Sequence, residues 1–265
     1  MIKLIASDLD DTLLNNDYKI SERDKETIKK LKDKGIYFTI ATGRVTYSVR
    51  KFAQELGIEV PYISFNGAKI TDPKNDNMVF SRELEKHRIK NILKYAEDRG
   101  IHCNVYSDEK IFIKNNTKWS EYYNTFSQHQ NVEEVGSLIE FEFKETPKIL
   151  LLDEHEVLKS ALDEIKDFVD KDINIYFSKP NFLEFTHKQA SKGDALKHIA
   201  ELFDIKRNEV AAIGDSFNDE SMIKYAGLSA VVGNGRDELK KIADFVSATN
   251  DESGFSDFVE SKILK

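Results

Sequence analysis

Cysteine is almost missing from this chain. Cys103 is the only one among 265 residues, so no internal disulfide can form and stability must come from the core. A lone thiol fits a reducing compartment, and the cytoplasm is the expected location. Cys103 alternates with Ile101 and Val105, which predicts a packed strand residue and not a reactive thiol. Proline is scarce as well, with 4, and there is no low-complexity tract or internal repeat, which leaves little room for disordered linkers. No apolar run approaches the ~20 residues needed to span a bilayer. Asp8, Asp10 and Asp11 interrupt the short apolar stretch at the N-terminus, unlike a signal peptide. Positive charge is not in excess: the net charge of −8 argues against nucleic acid or an anionic membrane as partner. Nothing reads G-x-x-x-x-G-K-[ST], which sets aside an ordinary P-loop NTPase. No obligate protein partner is evident. What remains is an ordinary globular balance, 40% apolar and 32% charged, with length enough for two domains or one large one.

The first part of the chain alternates apolar strand-like runs with amphipathic helices. A strand over 2–7 leads to a helix from Ser21 to Lys34, with Ser21 and Asp24 at capping-box spacing and Gly35 as its stop. A strand over 36–41, a helix over 46–56 and a short strand over 62–65 follow. The same rhythm returns late, with a helix starting near Lys192, a strand over 209–213, a helix over 217–226, a strand over 228–232 and a helix near 236–243. Strands that are apolar throughout, separated by helices, predict a parallel sheet covered on both faces. The middle reads differently. A helix over 84–99 precedes two alternating segments, 101–106 and 110–114, close enough to pair as a hairpin. A strand over 148–152, a helix over 155–169 and paired segments 173–178 and 182–186 complete that block. Segment 132–143 reads either way, because Ile139, Phe141 and Phe143 alternate after an acidic stretch. The expected fold is therefore α/β, a doubly wound Rossmann-like core over 1–82 and 190–265, with an α+β cap inserted over 83–189 and residues 64–77 leading into it.

Polar clusters fall at the carboxyl ends of three of these strands, where open parallel sheets bind their ligands. The strand over 2–7 ends at Asp8-Leu9-Asp10-Asp11-Thr12, that over 36–41 at Thr42-Gly43-Arg44, and that over 209–213 at Gly214-Asp215-Ser216-Phe217-Asn218-Asp219. Close carboxylates repel, and burying them unpaired is costly unless a cation sits among them. Oxygen ligands suit a hard divalent cation. Asp8 and Asp10, two apart, can face one pocket, with Asp215 adding an oxygen from another strand and Asp219 about one helical turn further on. Thr42 offers a hydroxyl and Gly43 an open N–H before a helix, which suits an anion, and Lys192 opens another helix after Ser191. Carboxylates for a cation, with amides and a lysine for an anion, point to phosphate–Mg²⁺ chemistry.

These clusters, with Lys192-Gly193, resemble the four motifs of the haloacid dehalogenase superfamily in their usual order. With the inserted module, Asn66-Gly67-Ala68 and Val231-Val232-Gly233-Asn234-Gly235, the chain is similar over its whole length to the Cof-like branch of sugar-phosphate-type phosphatases. Val232 and Gly235 depart from that branch, which often has Met and Ala there. The resemblance implies Asp8 as nucleophile forming an aspartyl-phosphate. It implies Asp10 as general acid and then base, and Mg²⁺ on Asp8, the Asp10 backbone carbonyl and Asp215. Asp219 would lie one layer further out and orient a water on the metal. The amide of Leu9, Thr42, Gly43, Lys192 and Asn218 would cradle the phosphoryl group, with Arg44 touching substrate or loop. The implied substrate is a small phosphorylated metabolite, and the cap would act as a lid that reads the leaving group.

A phosphomutase or phosphotransferase would use the same aspartyl-phosphate and is the alternative. A signalling receiver lacks the Asp-x-Asp pair and the insertion, and a silent binding module would not need Asp8, Asp10, Lys192 and Asp215 together. The remaining candidates have plainer readings. Thr12 either orders the site or only bonds the turn, and Asp11 is a turn or capping group. The six histidines lack ligand spacing and are read as surface or packing residues. Trp119, Tyr122 and Tyr123 form one face of a cap helix, while Glu184 and His187 are candidates to reach a leaving group.

Overall fold

Leu, Ile and Ala leave no polar side chain in the first three positions of the Leu4–Ser7 strand, and the strand is buried from end to end. Such a strand is stable only between two covered faces. A computed structural model, which describes residues 1–127, 131–169 and 171–265, shows that surrounding. The chain divides into two compact units, Met1–Ser81 with Ala190–Lys265, and Arg82–Gln189.

In the first unit, five parallel strands run in the order Phe245–Val246, Leu228–Val231, Val210–Gly214, Leu4–Ser7 and Tyr37–Ile40. The chain leaves Leu4–Ser7 to one side for Tyr37–Ile40 and later returns on the other side at Val210–Gly214. This is the topological switch of a doubly wound sheet. Register is tight: Leu4 sits opposite both Val210 and Tyr37, and Ser7 opposite both Ile213 and Ile40. The strand ends are therefore level. Helices Glu22–Asp33, Thr46–Glu55, Lys192–Leu202 and Gly254–Lys262 bury Ile28, Leu31, Val49, Phe52, Leu196, Ile199, Phe255 and Phe258 in its core. Each such side chain contributes about 1.5–3 kcal/mol. Ser21 caps the first helix as its spacing predicts, accepting the Asp24 N–H at 3.1 Å, and Gly35 at φ +71° ends it.

Residues 64–77, read from sequence as a lead-in, hold a strand of their own. Lys69–Thr71 pairs antiparallel with Tyr62–Ser64 and Met78–Ser81. Runs of three or four residues broken by Asn and Gly give no usable periodicity. The late helices are shorter than their patterns: 217–226 is a 3₁₀ turn over Phe217–Asp219 followed by Glu220–Tyr225, and 236–243 contracts to Asp237–Lys240.

The second unit is a six-stranded sheet in the order Ile173–Lys179, Phe182–His187, Lys148–Leu152, His102–Ser107, Lys110–Ile113 and Val132–Glu134. All pairs are antiparallel except the last. Helices Lys86–Arg99 and His155–Ile165 join Ile89, Ile92 and Leu158 to Cys103, Val105, Ile149, Leu151 and Phe185 in one core, an α+β arrangement. Segment 132–143 resolves into Val132–Glu134 alone. Phe141 and Phe143 pack on Phe112, with ring centres 4.8 and 5.6 Å away, and take no part in a strand. Cys103 is buried, and burial pushes its thiol pKa up, so it is inert. His102 packs internally between Asn104 and Thr117, while His129 lies outside the described residues. Tyr122 and Tyr123 of the Lys118–Ser127 helix pack against Phe182. Among the described residues no helix is long and apolar enough to cross a membrane.

One buried carboxylate ties the first helix to the last. Asp24 accepts the Ser256 N–H at 3.0 Å, the Ser256 hydroxyl at 2.6 Å and the Ser21 hydroxyl at 2.7 Å. Asp24→Ala would leave the buried Ser256 N–H without its acceptor and remove two further hydrogen bonds, and is expected to lower stability by about 1–3 kcal/mol. Thermal melting followed by circular dichroism checks this, and an unchanged midpoint would exclude the tie.

Candidate active site

Level strand ends bring three distant segments to one sheet edge. Asp8 continues the ladder beyond Ser7, its N–H donating to the Ile213 carbonyl at 3.0 Å. The chain then turns tightly: Asp10 is extended, Asp11 is left-handed at φ +56°, and the Leu14 N–H closes on the Leu9 carbonyl at 2.8 Å. Asp11 is thus the turn residue that its type predicts. Asp215 follows the Val210–Gly214 strand, and Thr42 follows Tyr37–Ile40.

Lys192, the first residue of its helix, is wholly buried. Its Nζ donates to Asp8 Oδ1 at 2.5 Å and to Asp219 Oδ1 at 2.6 Å. The other Asp219 oxygen accepts the N–H groups of Asp215 at 2.9 Å and Ser216 at 3.0 Å. Asp219 is therefore both a counter-ion for the lysine and the group that shapes the 215–219 turn. Two glycines permit this approach. A Cβ on Gly214 would lie 2.5 Å from Asp219 Cγ, and one on Gly193 would lie 2.4 Å from the Ser221 carbonyl oxygen. Thr12, whose role the sequence leaves open, donates to Asp215 Oδ1 at 3.1 Å.

One carboxylate oxygen from each of Asp8, Asp215 and Asp219 lies within 4.8 Å of the others. Three carboxylates face one ammonium, so the fully charged cluster carries two uncompensated negative charges. Their proton affinities register this. Burial foremost, and then Asp219, Asp215 and Asp10, hold Asp8 well above the ordinary carboxylate range against the pull of Lys192. Burial and Asp219 push Asp215 up to about 7, opposed by Lys192 and Thr12. Burial disfavours charge on Lys192, yet Asp219 and Asp8 together raise its pKa above the usual lysine value. A cluster of oxygen donors two negative charges in excess fits a hard divalent cation such as Mg²⁺.

The anion-side residues form a second group. Thr42 is buried; its hydroxyl accepts the Arg44 N–H at 3.2 Å and its carbonyl the Asn66 N–H at 2.9 Å. A Cβ on Gly43 would meet Asn66 Oδ1 at 2.9 Å, and Asn218 donates to that same oxygen at 3.1 Å. Leu9 is buried in the turn after Asp8. The Asp10 carboxylate lies outside the three-carboxylate cluster and pairs instead with Arg44. Asn66, part of the family resemblance but given no role by it, emerges as the link between Gly43 and Asn218. Its signal was the Asn-Gly dipeptide: Phe65, Asn66 and Gly67 are all left-handed, and a Cβ on Gly67 would strike the Ser191 carbonyl at 2.1 Å. Glu184 and His187 belong to the second unit. Glu184 is buried 3.4 Å from Lys148 Nζ and accepts the Tyr176 hydroxyl at 3.2 Å, and His187 accepts the Gln189 N–H at 3.0 Å.

Comparison with known proteins gives the family and the fold. The chain is 29% identical over 279 residues to the phosphatase YwpJ of Bacillus subtilis strain 168, covering 96% of this chain and 97% of that one. It is 29% identical over 263 residues to the 5-amino-6-(5-phospho-D-ribitylamino)uracil phosphatase YcsE of the same organism, covering 99% and 96%. Its fold matches the crystal structure of a haloacid dehalogenase-like hydrolase from Bacteroides thetaiotaomicron with a TM-score of 0.90 at 29% identity, over 98% of this chain and 99% of that one. A family model for haloacid dehalogenase-like hydrolases matches residues 5–259, and the chain belongs to that family.

Proposed function

We propose that this protein is a Mg²⁺-dependent phosphatase that hydrolyses phosphomonoesters of small metabolites, sugar phosphates foremost, through an aspartyl-phosphate on Asp8. The observation that carries the reading is Asp8 held at 2.5 Å by the buried Lys192, with Asp215 and Asp219 beside it. The name of the relative YcsE, whose substrate carries a phosphorylated ribityl chain, supports a polyhydroxylated leaving group. Nothing in this reading requires nucleic acid, a membrane or a protein partner, and it assigns the protein to the cytoplasm.

In the first half, an Asp8 carboxylate oxygen attacks phosphorus and the P–O bond to the leaving group breaks. The electron pair stays on the leaving oxygen, which takes the Asp10 proton. In the second half, water attacks phosphorus and gives a proton to Asp10. The bond from phosphorus to Asp8 breaks, which releases inorganic phosphate and restores both residues. Lys192 orients Asp8 and contributes positive charge where phosphoryl charge collects, while the Leu9 and Gly43 amides, Thr42 and Asn218 hold the phosphoryl oxygens. Asp8, Asp215 and the Asp10 carbonyl would hold Mg²⁺, with Asp219 behind them. When bound, the ion supplies positive charge that lets a dianionic ester approach three carboxylates.

Asp8→Asn is expected to lower Mg²⁺-dependent phosphate release from hexose phosphates by about three orders of magnitude or more. A malachite-green assay measures this, and retained turnover would overturn the nucleophile. Release of free phosphate without a bisphosphate activator distinguishes hydrolysis from mutase transfer.

A second expectation concerns pH. In the metal-free protein Asp215, raised to about 7, keeps a proton that the unfolded chain loses near 4. At this residue the folded state therefore binds more protons across that window, and the contribution of Asp215 to stability declines as pH rises from about 4 to 7. Mg²⁺ requires the deprotonated carboxylates, so its binding is weakened below pH 7. At a fixed Mg²⁺ concentration the rise in Tm should be larger at pH 8 than at pH 5. Equal rises in differential scanning fluorimetry would contradict the metal assignment.

A further inference from the structure

The sequence offers Arg44 as a contact for substrate or loop, but Nε and Nη2 of its guanidinium face Asp10. Nε donates to both Asp10 oxygens, at 3.1 and 2.9 Å, and an Nη2 hydrogen reaches Oδ1 at 2.6 Å. Among the described residues no other side chain hydrogen-bonds the Asp10 carboxylate. We infer that Arg44 is the positioning residue for Asp10, fixing the carboxylate that exchanges the leaving-group proton, and that it is not a ligand of the phosphoryl group. The inference rests on the aspartyl-phosphate reading above.

Three observations carry it. The first is shape. A side-on Arg–carboxylate pair sets the plane of the carboxylate as well as its distance, which a point charge cannot do. The second is that Arg44 is itself held firmly. Its N–H donates to Thr42 Oγ1, its carbonyl accepts the Phe65 N–H at 2.9 Å, and its guanidinium carbon sits 5.3 Å from the centre of the Phe52 ring. Phe52 in turn is buried on the Thr46–Glu55 helix. The third is charge. Asp8 and Asp10 repel each other, and the Asp10 side chain, 41% exposed, would otherwise be free to turn towards water. The contacts to Arg44 hold it in one orientation against that turn. Once Asp10 has given up its proton, Arg44 balances the charge of the carboxylate left behind.

The two roles for Arg44 separate by leaving group. A phosphoryl ligand serves every phosphomonoester alike, whereas a group acting through Asp10 matters only where the leaving oxygen needs a proton. The test compares kcat/KM in Mg²⁺ for the hexose 6-phosphate that the wild type hydrolyses fastest and for 2,4-dinitrophenyl phosphate, whose phenolate departs unprotonated. Arg44→Ala is expected to lower the hexose phosphate value about 10–100-fold, within the usual worth of general acid catalysis. The ratio between the two esters should shift by about tenfold or more. Asp10→Asn should skew the ratio in the same direction, and Arg44→Ala added to it should cost nothing further, since both act on one proton transfer. Arg44→Lys keeps the charge without the fork and should recover part of the loss. If the alanine variant fails to fold, the lysine variant must still show the skew. Equal losses on both esters, or losses that multiply in the double variant, overturn the positioning role while leaving the phosphatase reading intact. A wild type that hydrolyses neither ester overturns that reading, and this inference with it.

Discussion

An ammonium group with no exposure to water, shared between two carboxylates, is the contact on which the rest of this active site depends. Stripping Lys192 of solvent is tolerable only because Asp8 and Asp219 replace the water, and removing either partner of such a pair typically costs about 3–5 kcal/mol. The three groups come from the end of the first strand, the start of the Lys192–Leu202 helix and the turn after Val210–Gly214. Holding that triangle fixes where those elements end. Gly193 and Gly214 follow from the same requirement, because any side chain there would occupy the space of Ser221 or Asp219.

The triangle is not electrically balanced, and the imbalance is useful. Asp215 adds a third carboxylate, whose side chain accepts a hydrogen bond from the Thr12 hydroxyl, and burial raises its proton affinity. A cluster that holds protons so firmly in isolation is destabilised when charged, the usual condition of a site that stabilises something else. A divalent cation would offset that charge. Asp10 faces Arg44, which divides the four acidic residues into one paired with an arginine and three gathered together.

The two units obey different packing rules, and each rule is visible in its strands. Val210–Gly214 is buried at every position because helices cover both faces of its sheet. In the second unit, Ile149 and Leu151 face the helices while Lys148 takes the opposite side. There it sits 4.5 Å from the Tyr106 ring centre and 3.4 Å from Glu184. Burying that ion pair needs close partners, and Tyr176 supplies a further hydrogen bond.

By itself the sequence determined the doubly wound sheet, the inserted α+β module and the three polar strand ends. Each is written in local periodicity: unbroken apolar runs, alternation, and turn residues directly after a run. Ser21, Asp24 and Gly35 marked a helix whose caps are as read. Tertiary structure alone decided the partners. Lys192 is 184 residues from Asp8, and no local pattern says that their side chains meet. Asp10 looked equivalent to Asp8 at a spacing of two, yet a left-handed Asp11 and the arginine beyond it turn its carboxylate to a different neighbour. The short strand Lys69–Thr71 was hidden for a related reason, since three residues carry no period and are held by strands on either side. Spacing along a chain fixes which way a side chain leaves its own element. What it meets there depends on elements that arrive from elsewhere, and these are set by how the whole sheet closes.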